Sequence, residues 1–203
     1  KGYEVNLGNL VTAGTTIPKL ILYSGEVSIK TKHTVNGHNF SPSNFSSPNN
    51  NSIVSKLVYG KTSLLFTGDL EKEGIEYLTA KYQNNLSLFD VDFYHVGHHG
   101  AENGTNKELL DILSPKIAVI SAGDTTHRNG GSAFDHGHPR KLIVELLNNQ
   151  ASLTNRKQAV KVHAYPGQEV TPEIIDVKKE IYCTCWTGNI IILVDSKGKY
   201  TVQ

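Results

Sequence analysis

The sequence predicts an α/β domain, α+β in its details, in which sheets are covered by helices. Short apolar runs typical of buried strands alternate with helical patterns in the middle of the chain, and strand-like runs occupy both ends. The chain has 203 residues, of which 38% are hydrophobic, and this is enough to bury the core of one domain. No repeat or composition break divides it, so residues 1–203 are expected to form a single domain.

The first half of the chain predicts strands, one long loop and one helix. Residues 1–36 alternate short apolar runs with Gly, Thr and Asn, which indicates short strands and turns. Residues 36–52 are rich in Ser, Asn and Pro and are expected to form a loop. Two strand-like runs then flank residues 59–61, which is a tight hairpin signal. The apolar spacing over residues 71–82 predicts a helix.

The second half predicts two more strand–helix pairs and a tail of strands. Residues 91–96 and 116–123 have the apolar character of buried strands, and residues 107–113 form an amphipathic helical pattern between them. A further helix is predicted to open at Pro139, because proline is tolerated in the first turn. Its expected apolar face consists of Leu142, Ile143, Leu146 and Leu147. The tail predicts three or four strands with turns between them.

Charge and cysteine content narrow the function classes. Lys and Arg number 20 against 19 Asp and Glu, so strong nonspecific affinity for nucleic acid is not expected, although a local phosphodiester site stays open. No apolar run approaches the roughly 20 residues of a membrane span, so no membrane segment is predicted. Cys183 and Cys185 are the only cysteines and are expected to be two reduced thiols on one strand. Lys1 and the lack of methionine indicate a chain that begins part-way through a longer protein.

Three polar clusters follow three of the predicted buried strands. They are residues 68–69, residues 97–100 and residues 124–138. Because the strand ends of layered sheets hold loop residues in place, we expect these clusters to lie close together. Aspartate and imidazole without a neighbouring thiol suit zinc, manganese or iron, so the clusters predict a metal site.

Single residues of these clusters have more than one interpretation. Asp69, beside a glycine at a strand end, suits a metal ligand, but it is also well placed to cap the helix that follows. In an extended segment His136 and His138 point to the same side and face one centre. By the same geometry His98 and His99 point apart unless the chain turns there, so at most one of them is expected to bind a metal. Each histidine alone is better explained as a surface or core residue, and it is the set that favours a site.

Four motifs stand in a fixed order over about residues 50–140: NNNSIVSKLVYGKTSLLFTGDL, VDFYHVGHHG, SPKIAVISAGD and GHPR. In this order they resemble the metallo-β-lactamase superfamily, and most closely the hydrolase domain of the ComEC type in bacterial competence proteins. The resemblance implies an αββα sandwich with one or two divalent metal ions, zinc or manganese, at one edge. The family's H-x-H-x-D-H motif is absent from this sequence. The chain is therefore expected either to lack part of the domain's N-terminal half or not to hold its metals normally.

The resemblance also implies a role for individual residues. Asp69 matches the bridging metal carboxylate, and His138 matches the last metal-binding histidine. Asn51 lies where many relatives have a ligand histidine. His98 and His99 match the catalytic residues beside the substrate, which stabilise its charge or protonate its leaving group.

His136 and Asp124 are expected to contact the substrate. The leading prediction is a metal-dependent hydrolase of a phosphodiester or phosphate ester, in a small molecule or in nucleic acid, that uses metal-activated water. One alternative is a noncatalytic binding or assembly domain with a degenerate metal site. A second is a metal-free α/β domain in which Asp69 only caps a helix.

Overall fold

A computed structural model describes residues 3–6 (backbone alone), 16–23, 32–123, 132–167 and 171–203. Its centre is a mixed seven-stranded sheet in the order β1-β2-β5-β6-β7-β8-β11, beside two-stranded sheets β3-β4, β9-β10 and β12-β13. The strands are β1 Tyr3–Asn6, β2 Lys19–Leu22, β3 His33–Val35, β4 His38–Phe40, β5 Ser55–Tyr59, β6 Thr62–Phe66, β7 Phe93–His95, β8 Ile117–Ile120, β9 Asn155–Ala164, β10 Glu173–Lys179, β11 Ile181–Cys183, β12 Ile192–Val194 and β13 Tyr200–Val202. The predicted α/β class is confirmed.

The direction of the strands changes at β6. From β1 to β6, neighbouring strands run antiparallel, and β5 and β6 form the predicted hairpin with Tyr59 opposite Thr62. From β6 through β7 and β8 to β11, neighbours run parallel. Parallel neighbours need a crossover connection, and this is why helices lie between these strands and not between the earlier ones.

Helix α1, Lys72–Lys81, connects β6 to β7, and α2, Lys107–Leu113, connects β7 to β8. Both helices form where the apolar spacing predicts them. Helix α3, Lys141–Asn148, packs against β10, and α4 is the single turn Thr184–Thr187. Since β6, β7 and β8 run in the same direction, their carboxyl ends meet at one edge of the sheet.

The core lies between the parallel strands and the helices that connect them. The largest fully buried side chains are Leu65, Leu70, Leu78, Phe89, Phe93, Tyr94, Leu109, Leu110, Leu113, Ile117, Ile120 and Ile143. Cys183 and Cys185 are free and buried in the same cluster. None of the helices in the described part of the chain is long and apolar enough to cross a membrane.

Residues 36–52 contain more structure than the predicted loop. They include β4 and two short 3-10 helices, Pro42–Phe45 and Pro48–Asn51. Each 3-10 helix begins at a proline, whose fixed φ favours a first helical turn. The second is attached to the start of α1, because Asn50 accepts a hydrogen bond from the amide of Gly74 at 2.9 Å.

Two further predictions differ from the structure. The third helix begins at Lys141 and not at Pro139, and Leu142 of its predicted apolar face is 58% exposed while Val144 is buried. The face is rotated because β10 covers the helix from one side. The tail forms five strands, not three or four, and α4 interrupts the strand on which both cysteines were expected.

Candidate metal centre and anion cavity at the strand ends

The three polar clusters of the sequence follow β6, β7 and β8, whose carboxyl ends lie side by side. Backbone hydrogen bonds join these loops directly. The amide of His98 donates to the carbonyl of Gly68 at 2.9 Å, and the amide of Arg140 donates to the carbonyl of Gly100 at 3.0 Å. The sheet therefore brings together chain segments that are 30 to 70 residues apart, as the sequence predicts.

The turn over residues 97–100 has an unusual backbone. His98 and His99 have φ values of 49° and 56°, and Gly100 has 79°, so three successive residues lie in the left-handed region. A side chain at Gly100 would lie 2.9 Å from Cβ of Pro139, so this position requires glycine. Non-glycine residues in this region carry a conformational cost and concentrate at functional sites. The turn directs the two histidines to different partners.

His99 faces Asp69. Its Nδ1 lies 2.6 Å from the carbonyl oxygen of Ser121, and its Nε2 lies 3.4 Å from Oδ1 of Asp69. Because a carbonyl oxygen only accepts, Nδ1 carries the proton of this hydrogen bond. A neutral His99 then presents an unprotonated Nε2 to a carboxylate, which is unfavourable unless a proton or another cation lies between them.

His98 faces the opposite side of the turn. Its Nδ1 lies 3.0 Å from the side-chain oxygen of Asn103 and 3.9 Å from Oε1 of Glu71. Its ring centroid is 6.0 Å from that of His138. His98 therefore lies with His138 and not with Asp69. The two adjacent histidines face different partners, but they do so in a left-handed turn and not in the extended segment on which the expectation was based.

His138 is half-buried and neutral. Burial, together with the nearby Arg140 cation and the other histidines, lowers its pKa to about 4. Its Nδ1 is buried without a hydrogen-bond partner among the described residues. Together with His98, His136 and Arg140 it lines a cavity of about 650 Å³ next to the turn.

His95, the last residue of β7, lies behind these groups. Its Nδ1 is also buried and unpartnered, and its ring packs 5.6 Å from that of Phe66. Burial lowers its pKa, His99 adds to the lowering, and Asp69 opposes it. His95 is therefore neutral near pH 7 and contributes no positive charge to the site.

The remaining predicted site residues have different positions. Asn51 ends the second 3-10 helix, and its neighbour Ser52 packs against Gly68, but no hydrogen bond joins Asn51 to Asp69 or to the site histidines in the described residues. His136 is exposed and lines the cavity with His138, in a series of turns and not in the extended segment that was expected. Asp124 lies outside the described residues.

Asp69 is not the cap of α1. The N-cap position is occupied by Glu71, and the side chain of Asp69 points to His99 instead. The expectation that Asp69 caps this helix is therefore wrong. Sequence analysis missed Arg140 as a site residue, although it follows directly on the Gly-His-Pro motif, which could have drawn attention to it.

The donor groups fit a metal ion in part. A tetrahedral zinc ion with ligands at its usual distances holds two of them about 3.4 Å apart. Asp69 and His99 have this separation, and the unpartnered imidazole of His138 is a third donor of suitable chemistry. Among the described residues, however, no group of three His, Cys, Asp or Glu side chains lies close enough to hold one ion. These residues alone do not form a complete metal centre.

Comparison with known proteins finds a family match over part of this chain. The family model of the metallo-beta-lactamase superfamily matches residues 41–124, which carry the strand-end motifs of Asp69 and of His98 and His99. The resemblance predicted from the motifs is therefore confirmed. Proteins of this superfamily are generally hydrolases and usually bind divalent metals, and the central mixed sheet with its helices is that of a metallo-β-lactamase fold.

The similar proteins carry competence and recombination names, as expected for a ComEC-type relative. ComE operon protein 3 of Bacillus subtilis (strain 168) is 34% identical over 105 residues, which are 52% of this chain and 12% of that protein. Competence protein ComA of Neisseria gonorrhoeae is 39% identical over 75 residues, 37% of this chain and 10% of that protein. Recombination protein 2 of Haemophilus influenzae (strain ATCC 51907 / DSM 11121 / KW20 / Rd) is 37% identical over 75 residues, 37% of this chain and 9% of that protein. The matched part of the chain thus spans only about a tenth of each relative's length.

Proposed function

We propose that this chain supplies part of a metal-dependent hydrolase site that acts on a phosphodiester or phosphate ester. The observation that carries the proposal is the pairing of Asp69 with His99 at 3.4 Å, next to a cavity lined by His98 and His138. A carboxylate and an imidazole nitrogen at this separation suit a metal ion bound between the two groups. The competence and recombination names of the relatives support a nucleic-acid phosphodiester as one substrate.

The described residues have separate roles in this proposal. Asp69, His99 and His138 are the candidate ligands of a zinc or manganese ion, which would supply an acidic bound water. A complete metal centre would need further ligands from outside the described residues. His98 donates through Nδ1 to the side-chain oxygen of Asn103, so its imidazolium form would have the Nε2 proton for a hydrogen bond to a phosphoryl oxygen or for transfer to the leaving group.

A second candidate function is a noncatalytic binding or assembly domain with a degenerate metal site. The incomplete ligand set among the described residues favours it. Metal content together with hydrolysis separates the two candidates.

The deciding experiment measures metal content per chain by plasma mass spectrometry, after growth and dialysis with zinc and manganese. We expect one or two ions in the wild-type protein and a loss of half or more in Asp69→Ala. Asp111→Ala is the matched control, because Asp111 is an exposed carboxylate that pairs only with Lys107 on α2. The same proteins are assayed for hydrolysis of bis(4-nitrophenyl) phosphate and of single-stranded DNA.

Metal that is lost in Asp69→Ala and kept in Asp111→Ala, together with hydrolysis that follows the metal, supports the hydrolase. Metal without hydrolysis, or no metal in any of the three proteins, overturns it and favours the binding domain.

A further inference from the structure

The cavity beside the metal donors contains a cation with no counter-ion among the described residues. Arg140 is only 6% exposed and lines the cavity together with His98, Asn103 and His138. Its Nη1 is buried and has no hydrogen-bond partner among the described residues. A guanidinium group is always charged, so this burial is costly unless an anion or several acceptors satisfy it.

No described carboxylate provides that compensation. Glu102 lines the same cavity, but it is exposed and forms no ion pair with Arg140. The guanidinium packs closely against the backbone at Gly137. A Cβ atom placed on this glycine would lie only 2.9 Å from Nη1. Nη1 thus lies next to this backbone but has no hydrogen-bond acceptor among the described residues.

Arg156 is an arginine whose guanidinium has its partners within the protein itself. Its guanidinium donates to the carbonyl of Lys179 at 2.8 Å and to that of Ile181, and it lies 4.4 Å from the ring centroid of Tyr182. Arg140 makes no comparable contacts among the described residues. Within the described part of the chain, Nη1 of Arg140 is therefore open to a hydrogen-bond acceptor from a ligand.

We infer that Arg140 is the anion-binding residue of the cavity and that it binds a phosphoryl oxygen of the substrate. The planar fork of the guanidinium matches phosphate with two parallel hydrogen bonds. His136 and the side-chain NH2 of Asn103 line the same space and offer further polar groups to a bound anion. The inference rests on the proposed function and names the group that positions its substrate.

The first test observes Arg140 in the unmodified protein. The chain has only three arginines, so ¹⁵N-arginine labelling gives three side-chain Nε–H signals at most. Titration with inorganic phosphate, and then with dimethyl phosphate, should shift one of them, and the signal that is absent from Arg140→Lys identifies it. A titration in which the Arg140 signal does not move, or in which only another arginine responds, overturns the inference.

The second test measures the dissociation constant of dimethyl phosphate for three variants. Arg140→Gln should weaken binding about tenfold or more, because it removes charge-assisted hydrogen bonds. Arg140→Lys keeps the charge without the fork and should lie between Arg140→Gln and the wild-type protein. Lys161→Gln is the matched control, since it removes one positive charge from an exposed ion pair with Asp176.

If Lys161→Gln and Arg140→Gln weaken dimethyl phosphate binding equally, the effect depends only on net charge, and the inference is overturned. If Arg140→Gln does not fold, the wild-type titration and Arg140→Lys still decide it. Neither test needs turnover or metal. Phosphate binding at Arg140 without any hydrolysis would therefore refute the proposed function and leave the anion site in place, and hydrolysis without a response of Arg140 would do the reverse.

Discussion

Two groups of buried polar side chains in this protein differ in whether their polar atoms have hydrogen-bond partners. Around Asn50, which is 2% exposed, every polar atom of the side chain has a partner. Its amide nitrogen donates to the carbonyl of Asn44 and to the carboxylate of Glu73, both at 3.1 Å, and its oxygen accepts from the amide of Gly74 at 2.9 Å. These bonds attach the second 3-10 helix to the start of α1.

At the strand ends the buried polar atoms lack partners. Four buried side-chain atoms have none among the described residues, and all four follow β6, end β7 or lie in the GHPR motif before α3. They are Thr67 Oγ1, His95 Nδ1, His138 Nδ1 and Arg140 Nη1. An unsatisfied buried group costs about 1 to 3 kcal/mol, so such a cluster is not expected from selection for stability alone.

The comparison separates polar residues that stabilise the fold from polar residues that await a ligand. The Asn50 group contributes stability because each desolvated atom regains a hydrogen bond. The unsatisfied atoms of the strand-end group lower the stability of the ligand-free protein. Bound metal or phosphate would supply the missing interactions. Mutations in the two groups should therefore change the free energy of unfolding in different directions.

The largest change is expected for Asn50→Leu. The substitution keeps the volume but leaves the Gly74 amide, the Asn44 carbonyl and the Glu73 carboxylate without their partner, which should lower the free energy of unfolding by about 3 kcal/mol. The measurement is urea denaturation followed by circular dichroism.

Asn51→Leu is the matched control. The side chain is half-buried and makes no hydrogen bond within the described residues, so the change should stay within about 0.5 kcal/mol. Equal destabilisation by the two substitutions would show that the hydrogen bonds of Asn50 do not stabilise the fold.

A change of opposite sign is expected for His95→Phe. Phenylalanine removes the unpartnered Nδ1 and keeps the ring contact with Phe66, so the metal-free protein should gain about 1 kcal/mol at pH 7. The gain should increase as the pH falls. Burial lowers the pKa of His95 in the folded state, so below its usual pKa of 6.5 the unfolded wild-type chain binds more protons than the folded chain.

The measurement is the free energy of unfolding of both proteins between pH 7 and pH 5, with a chelator present. His163→Phe on β9 is the control, because His163 is exposed and its replacement removes no unsatisfied buried atom. A loss of stability in His95→Phe at pH 7, or a difference that shrinks on acidification, would contradict the interpretation of His95 as an unsatisfied buried group.

Local patterns were sufficient to predict most of the fold. The helix over Lys72–Lys81 and the hairpin between β5 and β6 follow from apolar spacing and a turn signal within a few residues. Three strand ends with polar residues also predict where the site lies, because parallel strands bring their carboxyl ends to one edge. Sequence alone therefore finds the location of Asp69, His99 and His138.

The partners within the site could not be predicted in the same way. The pairing of Asp69 with His99 depends on two left-handed residues in succession, which local propensity does not favour. The buried state of Arg140 depends on the close approach of Gly137, and the satisfaction of Asn50 depends on α1, 23 residues further along the chain at Glu73. Such features arise from tertiary contacts between segments, and periodicity carries no information on them.

The smallest expected effect compares two buried threonines of similar environment. Thr67 is 0% and Thr105 is 2% exposed, but only Thr105 has clear partners, the carbonyl of Gly104 at 2.8 Å and the hydroxyl of Tyr94 at 2.9 Å. Thr105→Val should therefore lower the free energy of unfolding by about 1 kcal/mol, while Thr67→Val should change it by less than about 0.5 kcal/mol. Both are measured by urea denaturation.

The two hydroxyls compete for one neighbour, because Thr67 also lies near the hydroxyl of Tyr94. Burial raises the pKa of Tyr94, and hydrogen bonds to its hydroxyl lower this pKa in part. Equal costs in the two variants would mean that Thr67 bonds to Tyr94, and the unsatisfied cluster would then be confined to His95, His138 and Arg140, the three cationic or imidazole groups that a phosphate or a metal can satisfy.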